Sequence, residues 1–338
     1  MERRTLGSSG VAVTTLGFGG APLGNLFRPV SEQDAQEVLT AAWDAGCRLF
    51  DTAPYYGYGL SERRFGDALR QRPRDEFILS SKVGRLIRPG YHPRKEQEGF
   101  VETLPFWADF DYSYDAVMRS VEDSYQRLGM DRIDVLLMHD IGRVTHGDEA
   151  HPALMKTAME SGYKALAELR DSGVIKAIGM GVNEWEVCQE ALQYADFDCF
   201  LLAGRYTLLE QTSLDSFLPE CERRQVSIIV GGPFNSGVLA RGLDEQATYN
   251  YGAVPAAIRN KVTQLQAVCQ DFQVPMPAAA LQFPLAHPAI ASIIPGSRTR
   301  AELEANRQLL QTPIPAAFWQ ALRERQLLHP DAPVPAGE

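Results

Sequence analysis

Three short apolar runs in this chain each close on a single polar residue: Arg48-Leu49-Phe50 on Asp51, Phe77-Ile78-Leu79-Ser80-Ser81 on Lys82, and Val135-Leu136-Leu137-Met138 on His139. Bounded β-rich runs separated by helical stretches imply a parallel sheet, and polar groups at successive strand ends converge on one rim. Tyr56 follows Asp51 in Asp51-Thr52-Ala53-Pro54-Tyr55-Tyr56-Gly57. The rim then gathers a carboxylate, a phenol, an ammonium and an imidazole, a set that can move a proton.

Helical and strand signals alternate from end to end, so residues 1–338 read as one domain. Residues 2–15 suit a β-hairpin turning at Gly7 to Gly10, placed to plug the N-terminal end of a barrel, and a first strand follows through Leu16 to Gly19. Ser31 with an acidic first turn opens a helix that Gly46 ends, and a helix over 113–128 is closed by Gly129. Further strands are expected at Ala177–Val182, Cys199–Ala203, Ser227–Gly231 and Ala291–Ile294. Eight strands with right-handed crossovers close as an α/β fold, the (β/α)8 TIM barrel, whose active site lies on the βα-loops. Two of those loops, 84–112 and 140–156, exceed ordinary connection length. The first carries Phe106 and Trp107, which fit either a wall over a substrate or a satellite core.

A length of 338 residues with 45% hydrophobic content supports a large barrel core. The net charge of −10, with no basic stripe, argues against a nucleic-acid partner. Met1-Glu2-Arg3-Arg4 leads into a Gly- and Ser-containing turn, and no apolar run reaches membrane-spanning length. The expectation is a soluble, cytoplasmic protein with no membrane partner. Five widely spaced cysteines without a Cys-x-x-Cys pair read as small core residues in a reducing compartment. His139, His146 and His151 invite a metal reading, but they sit near Gly147 and Pro152, and Lys82 at the same rim would repel a dication, so no metal is expected.

Tyrosine titrates near ~10, so it exchanges protons at neutral pH only when a cation stabilises its phenolate. Lys82 supplies that cation, Asp51 supplies the counter-charge a half-buried lysine needs, and His139 orients the oxygen whose proton is handled. An acid/base set cannot change oxidation state, so redox chemistry here requires a bound hydride carrier. Ile293-Ile294-Pro295-Gly296-Ser297, followed by a helix over 299–310, suits one, because a Gly-Ser turn at a helix N-terminus attracts phosphate or ribose oxygens.

Taken in order, Phe50-Asp51-Thr52-Ala53-Pro54-Tyr55-Tyr56-Gly57, Ser81-Lys82, Leu137-Met138-His139 and Ile294-Pro295-Gly296-Ser297 resemble the aldo-keto reductase superfamily across nearly the whole chain. The resemblance implies a catalytic tetrad of Asp51, Tyr56, Lys82 and His139, with Tyr56 rather than its neighbour Tyr55 as general acid/base. It also implies a nicotinamide dinucleotide across the rim, in contact with Gly20, Asn183, Phe234, Ser236, Gly237, Gly296, Ser297, Arg298, Glu302 and Asn306. Substrate contacts fall to Trp107, Phe106 and Tyr206. Gly17-Phe18-Gly19-Gly20-Ala21-Pro22-Leu23-Gly24-Asn25 and Gly179-Met180-Gly181-Val182-Asn183 resemble the sugar-oxidising branch, with aldose 1-dehydrogenases for L-fucose, D-arabinose or L-galactose, and pyridoxal 4-dehydrogenase. The expected partner is a small sugar or pyridoxal-like substrate, an aldose being oxidised at C1 to its lactone.

Two departures from the family pattern carry information. NADP-specific relatives often have Lys at the position of Gly296 and Arg at that of Glu302, so a carboxylate here favours NAD by repelling a 2′-phosphate. Arg298 and Arg300 in the same turn leave NADP open. Gly231-Gly232-Pro233 stands where many relatives have an aromatic that stacks on nicotinamide, so that either Phe234 or Tyr206 supplies the stack or the ring packs against backbone. The alternatives are a general NADPH-dependent aldehyde or ketone reductase and, from a different class, a cofactor-binding regulatory subunit.

Overall fold

The hairpin at the start of the chain decides which end of the molecule is sealed. In the computed structural model, which describes residues 1–90, 99–245, 247–250 and 252–337, Arg3–Thr5 (β1) pairs antiparallel with Ala12–Thr14 (β2). Gly7 turns this hairpin with φ +51°, and a side chain there would run into the carbonyl oxygens of Asp198 and Gln225. Leu6, Val11 and Val13 are buried in one cluster with Leu49, Val135, Leu137 and Leu201, so the hairpin plugs the floor of the sheet as expected.

Phe18–Gly19 (β3), Glu32–Asp44 (α1), Leu49–Asp51 (β4) and Leu60–Leu69 (α2) follow. Ile78–Val83 (β5) leads into an antiparallel pair, Arg85–Pro89 (β6) and Phe106–Phe110 (β7), before Tyr114–Leu128 (α3) and Val135–His139 (β8). Arg143–Thr157 (α4), Tyr163–Asp171 (α5), Ala177–Val182 (β9), Glu186–Ala191 (α6), Cys199–Ala203 (β10) and Phe217–Arg224 (α7) continue the alternation. Ser227–Gly231 (β11), Val238–Arg241 (α8), the short pair Thr248–Tyr249 (β12) and Gly252–Ala253 (β13), and Ala256–Asp271 (α9) come next. Met276–Leu285 (α10), Ile290–Ile294 (β14), Arg300–Leu309 (α11) and Ala316–Glu324 (α12) complete the chain.

Eight strands form one parallel sheet in the order β14-β11-β10-β9-β8-β5-β4-β3. Parallel bridges Leu16 to Ile293 and Gly19 to Gly296 join its edges, which makes it a (β/α)8 barrel. The caps sit where side-chain chemistry places them. Ser31 and Ser113 accept from the amides of Asp34 and Ala116, and Gly129 ends α3 in the left-handed region, devices worth about 1 kcal/mol each. Among the described residues no helix is long and apolar enough to cross a membrane, and all five cysteines are buried thiols.

Two expected loops are structured. Within 84–112, Arg85–Pro89 and Phe106–Phe110 form the β6/β7 pair, and most of 140–156 is the helix α4. Gly147 (φ +72°) and Pro152 read as breakers in sequence, but Gly147 marks a kink and helical hydrogen bonding resumes beyond it.

Candidate active site

Strand alternation puts the barrel's inward residues two apart, so Leu49 and Asp51 share one face of β4, and Val135, Leu137 and His139 share one face of β8. The parallel register sets Asp51 beside Ser80, Lys82 beside Leu137 and His139 beside Gly181. The last inward side chains of β4, β5 and β8 therefore meet above the apolar interior. There Lys82 and His139 line a cavity of about 240 Å³ with Ala21, Leu26, Tyr55, Tyr56, Phe100 and Asn183 among its walls, and Asp51 is paired to Lys82. A larger cavity, about 600 Å³, lies elsewhere, beside Arg70, Arg72, Arg74 and Tyr125. It adjoins the C-terminal ends of α2 and α3, whose negative carbonyl ends its arginines offset.

Lys82 Nζ donates to Asp51 Oδ2 at 2.7 Å and to the Thr52 carbonyl at 2.9 Å, with both partners of the ion pair almost fully buried. Burial pushes the Asp51 carboxyl upward, against the pull of the Lys82 charge and the Ser80 hydroxyl, which donates at 2.9 Å. Gly181 makes room for the lysine, since a Cβ there would come within 3.0 Å of Lys82 Cε. The ammonium lies 4.7 Å from the centroid of the Tyr56 ring, whereas Tyr55 stacks under Arg85 at 3.7 Å. Of the two adjacent tyrosines, Tyr56 is thus the one that faces the lysine charge.

His139 packs edge-on against Tyr55 and Tyr56, at 5.9 and 5.8 Å between centroids. Burial pushes its imidazole down to about 3, more strongly than Asp140 pulls it up. Its Nδ1 is buried with no hydrogen-bond partner among the described residues, and its Nε2 lies 3.4 Å from Asp140 Oδ2. A bare lone pair costs less there than an unpaired N–H, so the neutral ring carries its proton on Nε2. The acid sensitivity of the fold follows. The unfolded imidazole binds a proton below ~6.5, whereas the folded one stays neutral down to about 3, so stability is lost as pH is lowered through that window. Between about pH 7 and about pH 5 this group alone is expected to cost ~2 kcal/mol, read as a lower urea midpoint. A His139→Asn variant with the same loss over that interval would contradict the assignment.

Residues 15–326 match the Aldo/keto reductase family model. The chain belongs to that family. It is 45% identical over 336 residues to pyridoxal 4-dehydrogenase of Microbacterium luteolum, covering 97% of this chain and 98% of that protein. It is 39% identical over 328 residues to D-threo-aldose 1-dehydrogenase of a Pseudomonas species, covering 95% and 96%. An aldo-keto reductase of Bacillus halodurans, solved in its holo form, superposes with a TM-score of 0.75 at 27% identity, covering 99% and 98% of the two chains. This aldo/keto reductase is an oxidoreductase acting on CH-OH groups, and its family's cofactor is NAD or NADP.

The residues at the far rim fit such a dinucleotide. Thr299 caps α11 by accepting from the Glu302 amide at 3.2 Å, and the Glu302 carboxylate reaches back to the Arg298 amide at 2.6 Å and to Arg28 at 3.1 Å. Asn306 donates to Ser297 at 3.2 Å, and the Nε of Arg298 is buried without a partner. That orphan donor at a helix N-terminus suits a phosphate or ribose oxygen. Gly296 packs against Pro22, and Gly20 donates to the Asp51 carbonyl at 2.8 Å with Phe65 filling the space a side chain would take. Asn183 lines the cavity and donates to Asp140 at 3.4 Å. Ser236 and Gly237 lie in the turn after β11 with positive φ, Ser236 accepting from Thr248 through its carbonyl.

Three aromatic assignments need correction. Tyr206 is fully buried against Phe283 and His287, each 5.3 Å away, and is core rather than a substrate contact or a nicotinamide stack. Gly204 (φ +66°) turns the chain after β10, and Arg205 instead of Tyr206 reaches the rim, where its Nε donates to the Asn183 carbonyl at 2.5 Å. Phe106 packs on the cluster of Tyr55, Tyr58 and Phe100, and neither it nor Trp107 lines the cavity. Among the described residues, the apolar wall includes Phe100, Tyr55 and Leu26. Phe234, the other candidate for the stack, packs against the main core. The three histidines do not converge: His146 meets Tyr112 at 3.0 Å and His151 meets Glu190 at 3.1 Å. Sequence reasoning missed Arg85 and Asp140, whose only local signal is a charge placed next to Gly84 and next to His139.

Proposed function

We propose that this enzyme oxidises the hydroxyl of a small cyclic hemiacetal with NAD, an aldose at C1 being converted to its lactone. The carrying observation is the buried Asp51–Lys82 pair at 2.7 Å with its ammonium 4.7 Å from the Tyr56 ring. A cation there stabilises phenolate, so Tyr56 accepts the proton of the reacting hydroxyl while Asp51 balances the lysine. His139, neutral and protonated on Nε2, donates to the same oxygen and orients it. Asn183, Gly296, Ser297, Arg298 and Asn306 would hold the dinucleotide, which would supply the hydride acceptor when bound. Two similar proteins, named for D-threo-aldose and for pyridoxal, support a hemiacetal substrate, because pyridoxal also cyclises to one. Pyridoxal oxidation is the second reading, favoured by the 45% identity.

Glu302 supports NAD over NADP. Its carboxylate stands at the first turn of α11, where a 2′-phosphate would add a second negative charge, although Arg28 and Arg298 partly offset it. The test is absorbance at the reduced-nicotinamide band with NAD or NADP against L-fucose, D-arabinose, L-galactose, D-glucose and pyridoxal. Sugar-dependent reduction of NAD is expected. Turnover of pyridoxal alone selects the second reading, and reduction of NADP in preference to NAD overturns the cofactor assignment.

A further inference from the structure

The cavity holds a second buried ion pair that the proton-transfer chemistry does not use. Arg85 Nη2 donates to Asp140 Oδ2 at 2.6 Å, with both side chains about 8% exposed. The guanidinium is clamped between two aromatic rings, 3.7 Å from the Tyr55 centroid and 4.4 Å from that of Phe110. Asp140 follows His139 directly, and consecutive residues of a strand point to opposite faces. Here Asp140 takes φ +52°, a left-handed conformation uncommon outside glycine, and its carboxylate swings back to within 3.4 Å of His139 Nε2. The result is a carboxylate on the same wall as His139, facing the reacting oxygen's neighbourhood.

Its acceptor capacity is not exhausted. A carboxylate offers about four lone-pair sites, and the donors around Asp140 are Arg85 at 2.6 Å and, at the long distance of 3.4 Å, Asn183 and the His139 ring. Burial pushes its pKa up, but the Arg85 guanidinium and the Lys82 ammonium hold it below the ordinary carboxylate range, so it is an anion at neutral pH. A buried anion beside the reacting centre attracts a hydroxyl donor, and a substrate lacking one leaves it desolvated and under-satisfied.

We propose that Asp140, held by Arg85, is the specificity-determining acceptor for a substrate hydroxyl located one or two carbons from the reacting carbon. This rests on the reading of the Tyr56 cavity as the reacting site. An aldose carries such a hydroxyl on C2 and pyridoxal carries one on its ring carbon 3, so one carboxylate serves both substrate classes. Simple aldehydes and alcohols lack it.

The test uses the full-length enzyme in the reductive direction, which does not depend on the sugar or pyridoxal reading. The ratio of kcat/KM for D-glyceraldehyde, which bears the adjacent hydroxyl, to that for propanal, which does not, is measured with NADH or NADPH. It is compared between wild type, Asp140→Ala and Asp140→Asn. The ratio within one preparation is independent of the fraction folded, and Asp140→Asn keeps the shape where Asp140→Ala does not fold. A hydrogen bond to a charged acceptor predicts that the ratio falls by about tenfold or more in Asp140→Ala and by less in Asp140→Asn, whose amide oxygen still accepts. A wild-type ratio near unity, or a ratio unchanged in the variant that folds, overturns the proposal. Failure of the wild type to turn over either aldehyde overturns the reacting-site reading as well. Failure of the sugar and pyridoxal panel with the ratio behaving as expected overturns only the substrate assignment of the preceding section.

Discussion

Tyr56→Phe is expected to lower turnover by about a thousandfold while dinucleotide binding stays within a few fold of wild type, because general acid–base catalysis contributes ~10²–10⁴. The change deletes one oxygen and keeps the ring, which remains tilted on Phe100 at 6.1 Å and beside the Lys82 ammonium at 4.7 Å. Folding is therefore not at issue, and the loss reports on the proton alone. Steady-state absorbance gives the turnover, and quenching of protein fluorescence on titration with the dinucleotide gives the binding. Retention of turnover within about tenfold removes Tyr56 from the proposed role. Loss in Tyr55→Phe instead transfers that role to the tyrosine beneath Arg85.

Lys82→Met should abolish turnover and also destabilise the fold by about 3–5 kcal/mol, since removing one partner of a buried ion pair strands the other. Asp51 is 2% exposed and, among the described residues, would keep the Ser80 hydroxyl alone as a side-chain donor. The double variant Asp51→Asn/Lys82→Met should recover most of that stability and stay inactive, because a neutral amide has no charge to compensate. Urea unfolding of the two variants and wild type separates these effects. Equal stability of Lys82→Met and wild type would mean that the Asp51 carboxyl is already protonated in the folded protein, and the charged pair would have to be abandoned.

Much of the scaffold was legible because local chemistry dictates it. The serines at 31 and 113 and the glycine at 129 cap their helices as their residue types require, and Ala177–Val182, Cys199–Ala203 and Ser227–Gly231 form strands with the expected bounds. Helix α10 was not legible. Pro275, Pro277 and Pro284 look like breakers, but Pro275 is the N-cap, Pro277 sits in the first turn where proline is tolerated, and Pro284 falls one residue before the helix ends; the segment is also buried on nearly every side, so it has no polar face to reveal its period. Tyr206 misled for a related reason: an aromatic side chain suits a substrate wall or a core equally well, and only the direction of the backbone distinguishes them.

By itself the sequence determined that Asp51, Lys82 and His139 end parallel strands on one face, since strand alternation is a property of neighbouring residues and survives any arrangement of the rest. Closure of the barrel decided what those residues meet. Lys82 finds Asp51 from 31 positions away, and Arg85 finds Asp140 from 55. Tyr56 rather than Tyr55 comes beside the lysine because the turn after β4 directs it there. Such pairings depend on strand order and register, which arise from burial of the whole core and are written in no single segment of the chain.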